Sequence, residues 1–201
     1  MAFGGATCIR IRGVLDDGTP VFDYSGSGLT GSALVSLVAE LVRHGFVDPS
    51  GRFVKGYKRV GDVKCFRIGL DEEGREVVFS QLDMREVQKA IAAIRAGWRT
   101  VLAESGVGVD DLATVIVSGA FGTGLDIDDA MYVGILPRVD RDRVVLAGNT
   151  VIAGLKTLAL DRNHAERILR EVSRARYIEL ASNPGFTRLW IESLYLKPVD
   201  R

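Results

Sequence analysis

The spacing of apolar residues predicts helices in both halves of this 201-residue chain. Across residues 34–42 the apolar side chains recur every three or four positions, which gives one stripe along an amphipathic helix. Gly45 follows and predicts the end of that helix. A longer helical period begins after Ser80, a predicted N-cap, and runs to about Glu104, directly before Gly106.

Strands are predicted where apolar and polar residues alternate between turn signals. Residues 8–14 alternate as a half-buried strand does. Residues 20–24 are expected to return beside them after the turn at residues 16–18. Residues 63–70 and 76–79 flank a second turn, so they predict a hairpin.

The second half of the chain alternates strands with helices. Residues 115–117 and 144–146 are continuous apolar runs, typical of parallel strands that are buried on both faces. A last strand is predicted at residues 177–180. This order indicates an α/β lobe at residues 81–201, preceded by a small α+β subdomain at residues 1–80. Helices are predicted here at residues 128–133, 149–160 and 163–175, and from the Asn183-Pro184 pair onward.

Composition excludes several classes of function. The 26 basic and 26 acidic side chains cancel, so no charge surplus indicates nucleic-acid binding. No apolar run approaches the roughly 20 residues of a membrane span. No signal peptide is visible, so we expect a cytoplasmic protein. Cys8 and Cys65 are too far apart and too few for an iron–sulfur or zinc site. Neither His44 nor His164 belongs to a recognisable nucleophile–base signature, so we assign no catalytic or metal-ligating residue.

The glycine-rich stretch after the predicted strand at residues 115–117 is the main candidate for ligand binding. It comprises Ser118, Gly119, Ala120, Phe121 and Gly122, and an acid-capped helix start follows it. Small residues let the backbone approach a planar ligand, and a strand, glycine loop and helix start form the usual nucleotide edge of an α/β protein. A tight structural turn explains the same glycines, so the pattern alone leaves both interpretations open.

Other segments admit a binding or a structural interpretation. Glu86 and Lys89 lie one turn apart on the long helix, where they either reach a ribose and a purine edge or form an ordinary solvated pair. The Gly26–Gly28 segment either offers N–H groups to an anion or only opens a helix. Residues 126–129 resemble the start of a calcium loop but lack its glycine and glutamate, so helix capping is the better account. Asn149 is predicted to cap a helix as well.

The order of several segments resembles the corrinoid-activating ATPases, which are reductive activators of corrinoid-dependent methyltransferases. Residues 80–97 (SQLDMREVQKAIAAIRAG) are similar to the helix that opens the last lobe of these proteins. The similarity continues through residues 117–122 and 130–137 to residues 145–149 and 177–195. The resemblance therefore covers nearly the whole chain in the family's order.

The resemblance implies a fold and an activity. Because the family is similar to actin, sugar kinases and heat-shock chaperones, it implies a partial RNase H-like lobe of the actin-like ATPase kind. ATP with magnesium is implied, with the adenosine on residues 118–122 and against Glu86 and Lys89. The implied activity is the ATP-driven reduction of cob(II)alamin proteins to the cob(I) state. The implied partner is the corrinoid protein of a methyltransferase system, and a homodimer is compatible with this resemblance.

The chain departs from the family in two respects. The family has an aspartate–glycine–threonine phosphate loop in each lobe, and neither is recognised in this chain. These loops and the 2Fe-2S domain are expected in an N-terminal part outside it, and residues 2–6 look like the segment after the second loop. Tyr24–Gly28 stands where relatives have Ile-Cys-Gly-Ser-Gly. We therefore expect a C-terminal fragment, cloned or naturally split, that does not hydrolyse ATP alone. The alternatives are a sugar-kinase-like or acyl-CoA-dehydratase-activator-like ATPase and a non-catalytic interaction module of the same fold.

Overall fold

The computed structural model describes residues 8–160 and 162–196, apart from the side chain of Thr123. Residues 2–6, expected to follow a phosphate loop, lie outside the described residues. The strands are β1 (Arg10–Val14), β2 (Pro20–Asp23), β3 (Lys58–Val60), β4 (Val63–Leu70), β5 (Glu76–Ser80), β6 (Val115–Ser118) and β7 (Val144–Gly148). The helices are α1 (Gly31–Arg43), α2 (Gln81–Ser105), α3 (Ile127–Val133), α4 (Thr150–Leu160), α5 (Arg162–Ser173) and α6 (Pro184–Ser193).

The described strands form three small sheets. β1 and β2 pair antiparallel, as do β3, β4 and β5 in that order. β6 and β7 pair parallel, with Ile116 opposite Val145. A parallel pair needs a crossover connection, which here carries α3. Among the described residues, no helix has the length and hydrophobicity of a membrane span.

The long helix α2 begins and ends where the sequence predicts. The Ser80 hydroxyl accepts the backbone N–H of Asp83, and the Asp83 carboxylate accepts the backbone N–H of Ser80. This reciprocal capping box satisfies two N–H groups that the first turn of a helix leaves without partners. At the other end Gly106 has a φ of 66°, the left-handed conformation that favours glycine.

An aromatic cluster forms much of the core between α1 and the β4–β5 hairpin. The rings of Phe53 and Phe66 lie 4.6 Å apart between centroids, and Phe79 lies 6.1 Å from Phe53. Leu37 and Leu41 of α1 are fully buried in the same cluster. The apolar stripe predicted on α1 is therefore confirmed as its packing face.

The parallel strands are correctly predicted in position but not in burial. Ile116 is 66% exposed and its partner Val145 is exposed as well, although both belong to apolar runs. The prediction that these strands are buried on both faces is therefore wrong for the described chain. Only the opposite face of the strand pair is covered by described residues, because Val115 and Val117 on that face pack against the core.

The strand predicted at residues 177–180 is absent from this part of the described structure. The Tyr177 hydroxyl donates to the Glu179 carboxylate, which also accepts the backbone N–H of Ala181. These short-range bonds satisfy polar groups locally, and Tyr177 is exposed rather than packed against a sheet. A short run of mostly apolar residues is thus not sufficient to form a strand here.

A buried carboxylate joins β1, α1 and α3. Asp129 is only 1% exposed, and its two oxygens accept hydrogen bonds from Arg10 and from Arg43, the latter at 2.9 Å. Arg43 also donates to Glu40 at 2.6 Å, and Glu40 accepts the backbone N–H of Ile11 at 3.0 Å. Helix α3 is therefore fixed to the β1 strand and to α1 by charge-assisted hydrogen bonds.

We expect Asp129→Asn to lower the free energy of unfolding by about 1.5–3 kcal/mol, because it removes the charge from the carboxylate that Arg10 and Arg43 share, while Asp126 and Glu40 still pair with them. Urea denaturation followed by circular dichroism measures the change. Asp128→Asn is the matched control, since Asp128 pairs with Arg141 in solvent and should cost at most about 1 kcal/mol. Equal losses in the two variants would contradict a structural role for the buried carboxylate.

Candidate functional site

Two loops meet at the carboxyl edge of the parallel pair. β6 leads into residues 118–122 and β7 leads into residues 148–150. The backbone N–H of Gly119 donates to the carbonyl oxygen of Gly148 at 2.8 Å, and the hydroxyls of Ser118 and Thr150 are hydrogen-bonded to each other. We call these two segments the loop edge. The predicted binding loop thus lies beside a segment for which the sequence indicated only helix capping.

Glycine is favoured by backbone conformation at two positions of the loop edge and by close packing at a third. Gly119 and Gly148 have φ angles of 100° and 64°, and a Cβ added to either would meet no atom within 4 Å. Their backbones therefore face open space in a conformation that other residues adopt at a cost. A Cβ on Gly122 would instead lie 2.9 Å from the side chain of Val117, so close packing requires that glycine.

Phe121 links the loop edge to the start of α1. A Cβ added to Gly31 would lie 3.0 Å from the Phe121 ring, so glycine at this position lets the ring lie against the helix. Thr30 caps α1 by accepting the backbone N–H of Ala33. The segment Gly26–Gly28 was expected to open this helix, but it lies before Thr30 and contributes no helical N–H group. Gly31 is a contact of the loop that the sequence patterns did not reveal.

Helix α4 also begins at the loop edge. The side-chain oxygen of Asn149 accepts the backbone N–H of Ile152 at 3.4 Å, as expected of a capping residue. The positive end of the α4 dipole therefore lies beside Ser118. Open main chain next to a helix start is an arrangement that accommodates a planar ligand carrying polar or anionic groups.

Glu86 and Lys89 form an exposed ion pair on α2. The Lys89 ammonium lies 2.7 Å from the Glu86 carboxylate, and both side chains are more than half exposed. Lys89 also lines a cleft of about 350 Å³ between α2 and α6, together with Arg85 and Trp190. No residue of the loop edge lines this cleft. The structure brings the two loops of the loop edge together. That Glu86 and Lys89 bind the same ligand as the loop edge stays a prediction.

One group of side chains has metal-ligand types in proximity. Ligand atoms of Cys8, Asp126 and Asp129 all lie within 4.8 Å of one another. However, Arg10 contacts both carboxylates, and Arg43 contacts Asp129. Two guanidinium groups already balance these acids, so this group does not fit a magnesium ion. Asp126 additionally caps α3 by accepting the backbone N–H of Asp129, which confirms the capping interpretation.

The expectation that the chain lacks the aspartate–glycine–threonine motif is wrong for the motif itself, because one such triplet occurs at residues 17–19. The structure places it in the hairpin turn between β1 and β2. The Asp17 carboxylate accepts the backbone N–H of Thr19, and Gly18 has a φ of 81°. The hydrogen bond and the glycine conformation are those of a turn, so they explain the triplet without a ligand.

The chain matches the model of a known protein family. The family model described as "C-terminal domain of RACo the ASKHA domain" matches residues 10–201. The chain belongs to this family. ASKHA domains are actin-like ATPase domains, so the fold class inferred from the sequence resemblance is confirmed.

Three individual proteins are similar to this member of the RACo C-terminal family. "Corrinoid activation enzyme RamQ" of Eubacterium limosum is 30% identical over 82% of this chain and 30% of its own length. "[Co(II) methylated amine-specific corrinoid protein] reductase" of Methanosarcina barkeri is 25% identical over 90% of this chain and 31% of its own length. The solved "Reductive activator for corrinoid,iron-sulfur protein" superposes with a TM-score of 0.84 at 25% identity, covering 98% of this chain and 33% of that one. The chain thus spans about a third of the length of these relatives.

We expect Ser118 and Thr150 to be energetically coupled, because their hydroxyls join the two loops. In a double-mutant cycle of Ser118→Ala and Thr150→Ala, the coupling in unfolding free energy should be about 0.5–1 kcal/mol. Thr157→Ala serves as the control partner, since the Thr157 hydroxyl donates to the Ala153 carbonyl in its own helix. Strict additivity of Ser118→Ala with Thr150→Ala would show that the loops are not coupled.

Proposed function

We propose that this chain is the nucleotide-binding part of a corrinoid-activating ATPase and that the loop edge holds the adenosine of ATP. The observation that carries this proposal is the meeting of two glycine loops at the carboxyl edge of a parallel pair, in a member of an actin-like ATPase family. Ligands of open α/β sheets bind at such edges. In this proposal residues 81–201 form the nucleotide lobe and residues 1–80 the smaller subdomain.

Ser118, Gly119, Ala120, Phe121 and Gly122 supply the surface against which the base and ribose lie. The open space at Gly119 and Gly148 supports this role, because a flat ligand can approach their main chain without displacing a side chain. Glu86 and Lys89 are the proposed polar contacts to the ribose and the purine. Their exposure leaves them available, since the ion pair between them contributes little to folding.

The phosphates and magnesium have to be held by residues other than the acids near this loop. Asp126 and Asp129 are engaged by arginines, and the triplet at residues 17–19 forms a hairpin turn. We therefore propose that the phosphate loops belong to the part of a longer activator outside this chain. On this basis the chain alone binds adenosine groups weakly and does not turn over ATP.

The client in this proposal is a corrinoid protein of a methyltransferase system. The names of the relatives describe corrinoid activation, reduction of a Co(II) corrinoid protein and activation of a corrinoid iron–sulfur protein. Their common chemistry favours corrinoid activation over the sugar-kinase-like and acyl-CoA-dehydratase-activator-like alternatives. The reaction adds one electron to cob(II)alamin to give the cob(I) state. We propose that the donor is a 2Fe-2S cluster outside this chain and that ATP binding and hydrolysis drive the transfer.

We expect Gly119→Asp to weaken the binding of adenosine to this chain at least tenfold, because it adds a bulky anion to the open main chain. Isothermal calorimetry with adenosine and with ATP measures the change. In a full-length activator, the same substitution should abolish corrinoid-stimulated ATP turnover. Gly74→Asp is the matched control, since Gly74 has a φ of 76° and equally open space on a distant hairpin turn. Unchanged adenosine affinity in Gly119→Asp would refute the proposed site.

Lys89→Ala should weaken adenosine binding several-fold while the free energy of unfolding changes by less than about 0.5 kcal/mol. The two measurements together separate a ligand contact from a folding contact. Lys58→Ala provides a control at an exposed lysine on β3. If Lys89→Ala and Lys58→Ala bind adenosine equally well, Lys89 does not contact the nucleoside.

A further inference from the structure

Positive charge is concentrated in one short segment of a chain whose charges cancel overall. Residues 52–64 hold five basic side chains and a single acid, Asp62, whereas the whole chain has 26 residues of each sign. The basic residues of this segment are Arg52, Lys55, Lys58, Arg59 and Lys64. The proposed nucleotide site uses none of them. A local excess of one sign creates a potential that attracts an oppositely charged partner.

Three of these side chains line a groove between the β3–β4 hairpin and the start of α2. Arg52, Arg59 and Lys64 border a space of about 330 Å³, and Arg85 of α2 completes its basic lining. We call this space the basic groove; its other lining residues are Asp62, Val63, Gln81 and Leu82. The first turn of α2 adds the positive end of a helix dipole. Four cations and a helix start thus surround a single acid.

The cations of the basic groove are not neutralised within the part of the chain that the structure describes. None of the four forms an ion pair there, whereas Arg67 of β4 pairs with Glu76 at 2.9 Å. The Asp48 carboxylate accepts the backbone N–H groups of Ser50 and Arg52 and does not pair with the Arg52 guanidinium group. The four positive charges therefore remain available to a ligand.

Two of these cations are held in position by neutral acceptors. The Lys64 ammonium donates to the carbonyl oxygen of Phe53 at 2.9 Å and lies 4.3 Å from the centre of the Tyr57 ring. The Arg85 guanidinium donates to the carbonyl oxygen of Ser50 at 2.7 Å. Neutral partners orient a cation without cancelling its charge, so the groove is preorganised for an anionic ligand.

The lining favours an acidic segment of a protein over other anions. No aromatic ring is among the described residues that line the groove, although unpaired bases are usually held by stacking on aromatic rings. Arg52 and Arg59 are exposed rather than directed at one buried point, as a single small anion would require. Leu82 is 65% exposed in the same lining, which suits a partner with apolar as well as acidic side chains.

We propose that the basic groove binds a carboxylate-rich segment of another protein. The carboxylates pair with the guanidinium groups of Arg52, Arg59 and Arg85, and an apolar side chain of the segment lies against Leu82. Clusters of arginines are a recurring means of recognising acidic motifs. Exposed ion pairs of this kind raise the association rate and the specificity, so the contact is reversible and weakens with salt. The proposal is independent of the nucleotide, because no residue of the loop edge lines the groove.

The test measures the binding of a labelled peptide by fluorescence anisotropy, with glutamates placed around one central leucine. It is made in about 0.1 M salt, where exposed charges are screened beyond about 10 Å. We expect this peptide to bind, and the same peptide with glutamines in place of the glutamates not to bind. Arg59→Glu should weaken the binding at least tenfold, because it reverses a charge in the groove. Arg59→Lys should retain the affinity within about threefold, since it keeps that charge.

Lys58→Glu is the matched control. It makes the same change of charge at the neighbouring position of β3, where successive side chains point to opposite faces, and Lys58 lines a different cavity. It should leave the peptide affinity within about twofold. Both side chains are exposed, so thermal unfolding followed by circular dichroism should give the same melting temperature for both variants.

Four results would overturn the proposal. The first is that the glutamate peptide does not bind, and the second is that Arg59→Glu and Lys58→Glu weaken it equally, which would indicate a diffuse positive field. The third is that single-stranded DNA or tripolyphosphate binds more tightly than the peptide and depends on Arg59. The fourth is that the part of Eubacterium limosum RamQ outside the shared segment displaces the peptide, which would assign the groove to the rest of a longer activator. No adenosine enters the experiment, so its failure leaves the proposed ATP site untouched.

Discussion

The carboxylate of Asp129 is the point at which three parts of this molecule are held together. It lies out of solvent between Arg10 of β1 and Arg43 of α1, while its own helix α3 belongs to the crossover between the parallel strands. A buried charge of this kind is tolerated only with its partners in place. Because α3 directly follows the loop after β6, the position of that loop depends on the same contacts.

The parallel pairing of β6 and β7 is the second condition for the site. It brings residues 118–122 and 148–150 to one edge although some 25 residues separate them along the chain. The crossover between the strands is short enough for α3 to be held against α1 at the same time. The proposed nucleotide edge thus rests on one topological feature, and so does the uncovered apolar side of the pair.

The features that the sequence predicts well are local. Ser80 with Asp83 and Gly106 define α2 because capping involves residues a few positions apart. The order of strands and helices indicated an α/β lobe, and the resemblance to activators added that its fold is of the actin-like ATPase kind. The exposure of Ile116 was not predictable, because burial depends on what packs over a strand and not on the strand itself. The contact of Ser118 with Thr150 depends on strand register, and the contact of Phe121 with Gly31 on tertiary packing.

The anchoring of the Ser118–Gly122 loop has a consequence for ligand binding. Ser118 is bonded to Thr150, Phe121 lies against Gly31, and Asp126 just beyond the loop both caps α3 and pairs with Arg10. A segment restrained at its start, middle and exit has already lost the conformational entropy that an unrestrained loop would lose on binding. The surface is therefore preorganised, and the nucleoside that we propose binds there would select an existing shape instead of creating one.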